Sequence, residues 1–338
     1  MRFHSIFLSV SALLLSASIA FAEIQPMELT VTLGDPESAE MGVVGNAFKE
    51  YLEKASKGIV RVHLIYAEDG QDESMQFHKV QIGKLDMAVG GIPNLEPLCR
   101  KLGVLSLPYL FENVEQAERG TTGKAAVLLN SYALESGLRV LAWTYSGFRN
   151  ISNSRHPITE LKDIRKLRIR VPHSVVMLDI YHNFGALPSS VAWGMTYKAL
   201  EHDFVDGQCC SYSMFKAMKF MDAGQKYLTE LHYCYLLQPL VINEKFFSNV
   251  SPELQKMIVD AGKYAQQQSL KRQNEMEVQA KEQLQAAGLE IATLTDEPAW
   301  RAIALEKVWP EVADAVGGKS VINAYLKACD RPVWAAED

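Results

Sequence analysis

Two kinds of hydrophobic periodicity alternate along this chain, and that alternation constrains the fold more than any other feature. Leu29 to Leu33 alternates as a half-buried strand does, and Gly34 ends it. From Glu40 to Ala55, Val43, Val44, Phe48, Tyr51 and Leu52 recur at helical spacing, with Lys57-Gly58 as the stop. Ile59 to Tyr66 returns to β-branched alternation, Ser74 to Leu85 to helical spacing, and Asp86 to Val89 reads as a buried strand running into Gly90-Gly91. Strands alternating with helices in this way predict an α/β fold built on a parallel sheet covered on both faces. The pattern continues with helices over 124–136, 175–184 and 195–201. Further strands are expected over 138–145, 148–152, 168–171 and 204–208, and over 236–243, long enough to pass between two lobes. Ser251-Pro252 then opens a helical stretch that runs to Ala287 and stops at Gly288. At 1.5 Å per residue it spans roughly 54 Å. It is rich in Gln, Lys and Glu without sustained apolar heptads, which suits a brace between two domains better than a coiled coil.

Residues 1–22 have the form of a cleaved signal peptide: Arg2, an apolar run from Ile6 to Ile19, and a small-residue end at Ala20-Phe21-Ala22. The run is short for a membrane span and no stop-transfer charges follow it. Its removal leaves 33 Lys and Arg against 40 Asp and Glu, a net charge of −7. The expected location is therefore the periplasm. With 48% hydrophobic and 22% charged residues the chain is not disordered. It lacks the basic footprint of a nucleic-acid binder, and its length suggests two domains. An exported chain meets an oxidising compartment, and five cysteines, Cys99, Cys209, Cys210, Cys234 and Cys329, leave at least one thiol unpaired. A bridge between the neighbours Cys209 and Cys210 departs from ordinary disulfide geometry, so buried thiols are expected there. No CxxC or other metal spacing is present, and neither a metal nor a cofactor is expected.

Enzyme signatures are absent: there is no GxSxG, HExxH, Walker loop, or GxGxxG after the first strand. The arginines on strands carry more information. Arg149 lies in Ser146-Gly147-Phe148-Arg149-Asn150, and Arg168 and Arg170 lie in Leu167-Arg168-Ile169-Arg170-Val171-Pro172. A long cation within an α/β core needs a partner, either a neighbouring acid or a bound anion. A planar guanidinium grips a carboxylate with two parallel hydrogen bonds, which Lys cannot do.

In combination, several stretches resemble the periplasmic solute-binding subunit of TRAP transporters, the DctP family. They are KGIVRVHLIY (57–66), IGKLDMAVGG (82–91), LSLPYLFEN (105–113), SGFRNISNSRHPIT (146–159), LRIRVPHS (167–174), FGALPSS (184–190), YKALEHDFVDGQ (197–208) and QKYLTELHY (225–233). The resemblance implies a two-lobed, periplasmic-binding-protein-like α/β fold with interwoven lobes and the long helix spanning both. Residues 23–145 with about 236–272 would form one lobe, and 146–235 with about 273–338 the other. It further implies capture of a small organic acid and its delivery to a TRAP membrane permease. In that reading Arg170 grips the ligand carboxylate, Arg149 is a second cationic contact, Trp193 is a pocket aromatic, and His173 lies near the same pocket.

The chain departs from the family pattern at three places. Cys209, Cys210 and Ser211 stand where Glu-Asn-Pro is common, so Cys210, a weak donor, replaces an Asn that bonds the ligand carboxylate. Met195 replaces a Glu, and Gly91 replaces a polar residue. All three changes remove polar groups, which predicts a larger and more apolar pocket for an aromatic or branched monocarboxylate or a keto acid. Two other readings remain: a sensor that presents its closed form to a receptor kinase, and an exported enzyme with Cys209 or Cys210 as nucleophile and His173 or His182 as base.

Overall fold

The computed structural model describes residues 25–67 and 72–334, so the expected signal peptide at 1–22 lies outside the described residues. The chain begins with strand β1 (Met27–Leu33), helix α1 (Glu40–Ala55), strand β2 (Val60–Ile65), helix α2 (Glu73–Gln81) and strand β3 (Met87–Val89). β1 pairs in parallel with β2 and with β3, as the alternation demands. In α1, Val44, Phe48 and Leu52 bury one stripe at a spacing of four residues. The Asp72 side chain caps α2 by accepting from the Ser74 N–H at 2.8 Å. α2 ends at Gln81, short of the expected Leu85, because Gly83 takes a left-handed φ of 72° and turns the chain into β3.

Further strands are β4 (Leu138–Phe148), β5 (Asn150–Asn153), β6 (Arg168–Val171), β7 (Leu187–Ser190), β8 (Gly207–Cys210), β9 (Tyr227–Glu230), β10 (Tyr235–Asn243) and β11 (Glu290–Thr293). They form two sheets, one in the order β2-β1-β3-β10-β4 and the other β11-β9-β5-β8-β6-β7. Each sheet is the framework of one lobe. The lobes are interwoven: β4 of the first sheet runs through Gly147 and Arg149 into β5 of the second, and β9 returns through 231–234 to β10 of the first. β10 is antiparallel to both β3 and β4, so the first sheet is mixed.

The helix Pro252–Ala286 makes the third crossing. Ser251 caps it and Pro252 occupies its first turn. Leu254, Ile258, Ala261 and Ala265 join the core of the first lobe, against α1 and the first sheet. Ala280 and Leu284 join a core in the second lobe with Phe215 and Phe220. One polar helix therefore braces both lobes by burying short apolar stretches at its two ends. The last helix, Lys319–Ala328, packs on the helix Gly123–Glu135 and on residues 100–106. The tail thus returns to elements of the first half of the chain instead of staying with the second sheet.

One strand is displaced from its expected place. Residues 204–208 read as a strand, but β8 begins three residues later, at Gly207. The reason lies at Asp206, whose carboxylate accepts from the Arg168 N–H at 2.9 Å and from its guanidinium at 2.7 Å. This clamp fixes the chain beside β6 and starts the strand only afterwards. Gly207 then passes so close to Ser152 that a Cβ there would collide with the Ser152 carbonyl. The shift places both Cys209 and Cys210 in β8, an interior strand between β5 and β6.

Candidate functional site

Between the lobes lies a small, nearly filled cavity of about 20 Å³. Its walls come from the carboxyl ends of parallel strands, where α/β sheets present their ligand sites. Gly91 follows β3, Glu73 opens α2, Cys210 ends β8, and Arg170 stands in β6. Arg149 comes from the β4–β5 crossing and Gln238 from β10.

Both arginines are buried and both retain unspent donors. Arg170 donates from Nε to the Val191 carbonyl at 2.8 Å, while its Nη2 has no partner among the described residues. Its guanidinium lies 5.2 Å from the centroid of the Trp193 ring. Burial pushes Arg170 down to about 10, with Arg149 acting in the same direction, so it stays cationic at neutral pH. Arg149 donates from Nη1 to the Cys209 carbonyl at 3.1 Å, and its Nε is buried without a partner. A buried cation with free N–H groups is costly unless an anion completes it. Arg168 has a different fate. Its guanidinium is bound to Asp206, which also takes Arg155 at 2.8 Å. Two arginines on one strand thus divide between a structural ion pair and the cavity.

The remaining expected residues separate in the same way. Trp193 lines the cavity, and its indole N–H donates across the cleft to Asp35 Oδ1 at 2.8 Å. Cys210 lines the cavity, with its sulfur accepting from Gln208 at 3.2 Å; burial pushes the thiol well above its ordinary range. Cys209 packs in the core beside Tyr181 and Tyr233, and both its carbonyl and its sulfur accept from Arg149 Nη1, at 3.1 Å and 3.5 Å. Gly91 lines the cavity, and its N–H donates to Glu73 at 2.8 Å. His173 does not line it. Its Nδ1 lies 2.7 Å from the Ser190 hydroxyl and its Nε2 3.8 Å from Asp72. It sits half-exposed at the rim, where it faces the other lobe. All five cysteines are free thiols. Among the described residues no histidine hydrogen-bonds Cys209 or Cys210, so no nucleophile–base pair is assembled.

The cavity has mixed walls, with Pro172, Met214 and Leu236 beside the charged groups. Met195 is 41% exposed and lies outside it. Glu73, Asn94 and Gln238 line it instead, and Asp35 stands directly behind. Glu73 accepts from Asn94 at 2.6 Å as well as from Gly91. Burial raises its carboxyl, and the two hydrogen bonds and both arginines oppose that rise. Asp35 accepts from Gln238 at 3.2 Å, and burial together with the Glu73 charge pushes it up to about 7. Two signals for these residues were present in the sequence. Asp35 follows the first strand directly, and Gln238 is the one polar side chain between Leu236 and Ile242 in an otherwise apolar run.

The lobes meet around the cavity through a consistent arrangement. Carboxyls on the first lobe accept from donors on the second: Asp35 from Trp193, Glu96 from Ser174 at 2.5 Å, and Glu40 from Ser213. Larger spaces exist elsewhere. A surface groove of about 610 Å³ beside β4 is one, but its Arg139 is already bound to Glu244 at 2.6 Å.

Residues 32–314 match the bacterial extracellular solute-binding protein family 7, DctP. This chain belongs to that family. Among its relatives is the 2,3-diketo-L-gulonate-binding periplasmic protein YiaO of Escherichia coli, 27% identical over 258 residues, 76% of this chain and 78% of that one. Another is the C4-dicarboxylate-binding periplasmic protein DctP of Rhodobacter capsulatus, 27% identical over 286 residues, 83% of this chain and 84% of that one. Among solved structures, a TRAP periplasmic solute-binding protein from Polaromonas bound to D-erythronate superposes with a TM-score of 0.83 at 25% identity, covering 88% of this chain and 98% of that one. The sugar-acid-binding protein DctPAm of Advenella mimigardefordensis, in complex with galactonate, shares the fold with a TM-score of 0.85 at 24% identity, covering 91% and 99% of the two chains. The family and its structural neighbours are solute-binding proteins, and DctP-family relatives bind sugar acids and carboxylates.

Proposed function

We propose that this chain captures a small organic acid in the periplasm, closes its two lobes on it, and delivers it to the membrane permease of a TRAP transporter. The observation that carries this reading is the pair of buried guanidiniums, Arg149 and Arg170, each with an unpartnered donor beside one interlobe cavity. Arg170 binds the ligand carboxylate, with its Nε and the Trp193 ring holding the guanidinium plane in place. Arg149 supplies a second cationic contact. Trp193, Cys210 and Gly91 complete the wall. Cys209 acts through its carbonyl by positioning Arg149, and His173 stands at the rim. A chain at −7 repels anions at long range. The two arginines overcome this because low-dielectric walls focus their field inside the cleft.

The test is calorimetry on the signal-free chain with organic acids, beginning with whatever acid mass spectrometry finds on protein purified without denaturation. Arg170→Ala should weaken binding about 30-fold or more, the usual cost of truncating one partner of a buried charged pair. Arg170→Lys should not restore it, because a point charge loses the two-pronged geometry. Unchanged affinity in Arg170→Ala refutes the assignment.

A further inference from the structure

A second cavity, of about 480 Å³, lies behind the strands that cross between the lobes. The two crossings line it and the interlobe cavity from opposite faces. Arg149 and Leu236 line the interlobe cavity, whereas their chain neighbours Phe148, Asn150 and Tyr235 line the one behind. Gln273 and Glu277 of the long helix, the third crossing, line its floor. Both strand crossings bend here: Gly147 takes a φ of 86° and His232 one of 47°, and both residues line the cavity. We infer that this cavity is a second ligand site, for a small ammonium ion with an aromatic body, and that filling it favours closure of the lobes. The site stands independently of what the interlobe cavity holds. Only its effect on closure rests on the closing motion proposed above.

Rings and charge define the ligand class. Phe148 meets the Tyr235 ring edge-on with centroids 5.0 Å apart and the His232 ring at 5.3 Å, and Phe111 and Tyr212 add two more rings. Aromatic walls hold an aromatic body and attract a cation. The two lining cations are already taken, Lys281 by Glu230 at 2.6 Å and Arg301 by Glu112 at 3.7 Å. Glu115 and Glu297 also line the cavity and form no ion pair among the described residues. Glu277 does not enter this balance, because burial raises its carboxyl. The uncompensated charge is therefore negative, and it favours a cation over an anion. Hydrogen bonding agrees. Asn150 is 2% exposed, and its Oδ1 has no partner among the described residues. A buried amide oxygen left bare is costly and calls for a donor. An ammonium group brings three donors and no acceptor.

Both lobes wall the cavity. Phe111 to Glu115, between β3 and β4, belong to the first lobe. Tyr212 belongs to the second, as does Arg301, whose helix Glu297–Ile303 packs on residues 161–164. A rotation about the crossing strands that parts the lobes at the interlobe cavity brings them together behind it. A guest held between these rear walls resists that approach. It binds the closed form better and shifts the balance toward it.

The experiment is calorimetry with phenethylamine on the signal-free chain at pH 8, where an ordinary imidazole is neutral. 2-Phenylethanol keeps the ring without the charge, and ethylamine keeps the charge without the ring. Phenethylamine should bind at least about tenfold more tightly than either. Glu115→Gln combined with Glu297→Gln should weaken it about threefold or more, the scale of exposed charge pairs. Asn150→Ala should weaken it by a similar factor, the worth of about one hydrogen bond. Phenethylamine binding no more tightly than 2-phenylethanol or ethylamine overturns the site, as does binding that neither change weakens. Neither Glu115 nor Glu297 is buried, so the double variant decides if Asn150→Ala does not fold. Small-angle scattering reads the effect on closure. Saturating phenethylamine should reduce the radius of gyration of the chain with no acid present, and an unchanged or larger radius refutes that effect. The two readings fail separately, since Arg170→Ala without effect removes carboxylate capture and leaves the amine site standing.

Discussion

Closure of this cleft should consume protons, and ligand affinity should therefore fall as pH rises. The perturbation is a pH series from 5.5 to about 9. Glu96 and Glu40 lie outside the cavity lining, yet closure buries both against second-lobe hydroxyls of Ser174 and Ser213. Burial pushes Glu96 up to about 8, against the lowering effect of its bonds to Ser106 and Ser174. Burial and the nearby Glu277 charge push Glu40 up to about 8. Lobe separation removes the second-lobe hydroxyl from each and should bring both closer to the ordinary carboxyl range near 4.3. The closed form holds each carboxyl at the raised value, so it is fully favoured below the open-form range. That advantage is lost as pH rises through about 8. Between the two ranges each group takes up about one proton on closing, which is about tenfold in affinity per pH unit. Above pH 7, where Asp35 at about 7 contributes little, these two groups set a slope in log Kd of between about one and two per unit. The assay is calorimetry with a ligand whose own carboxylate stays ionised throughout, in buffers of differing ionisation enthalpy to count protons directly. Glu96→Gln should lower the slope by about one and raise affinity at the alkaline end. A flat log Kd between pH 6 and 8, or a slope that neither Glu96→Gln nor Glu40→Gln changes, refutes the reasoning.

Other outcomes follow from single contacts. Trp193→Phe keeps the ring beside Arg170 and deletes the donor to Asp35, so affinity should fall about tenfold, the worth of a hydrogen bond to a charged group, as calorimetry would show. Gly262→Ala should lower the unfolding free energy measured in urea by about 1–3 kcal/mol, because a Cβ there collides with the Leu141 carbonyl where the long helix crosses β4. Native alkylation should leave Cys209 and Cys210 unmodified over minutes while denatured protein reacts at once; both are buried, and rapid labelling of either would contradict their placement.

Periodicity in the sequence was enough to place most elements, because each signal is local. α1 runs from Glu40 to Ala55 as its apolar stripe requires, and β6 occupies Arg168–Val171. β8 slipped by three residues because its start depends on the Asp206–Arg168 clamp, a contact between segments 38 residues apart. The site divides along the same line. Arg149 and Arg170 were legible because a cation on an apolar strand is conspicuous. Glu73 was not, because it is one acid among 40, and the position of Asp35 just after the first strand gains meaning only when the fold brings residues 35, 73 and 238 to one wall. The expectation of an apolar pocket missed these two acids for this reason. It counted the polar groups removed at three positions and had no means of counting those that distant segments contribute.

The strand order of the first sheet also fixes when this protein can fold. β10 lies between β3 and β4, and its partners precede it by well over a hundred residues at β3 and by nearly as many at β4. The same lobe also takes Leu254, Ile258 and Ala265 from the long helix into its core. A chain that has emerged only as far as β4 therefore has an open sheet edge and an uncovered apolar face. Such non-local pairing is entropically late and slow. The N-terminal lobe, although first in sequence, waits for the final third of the chain, and the two lobes reach their native form together.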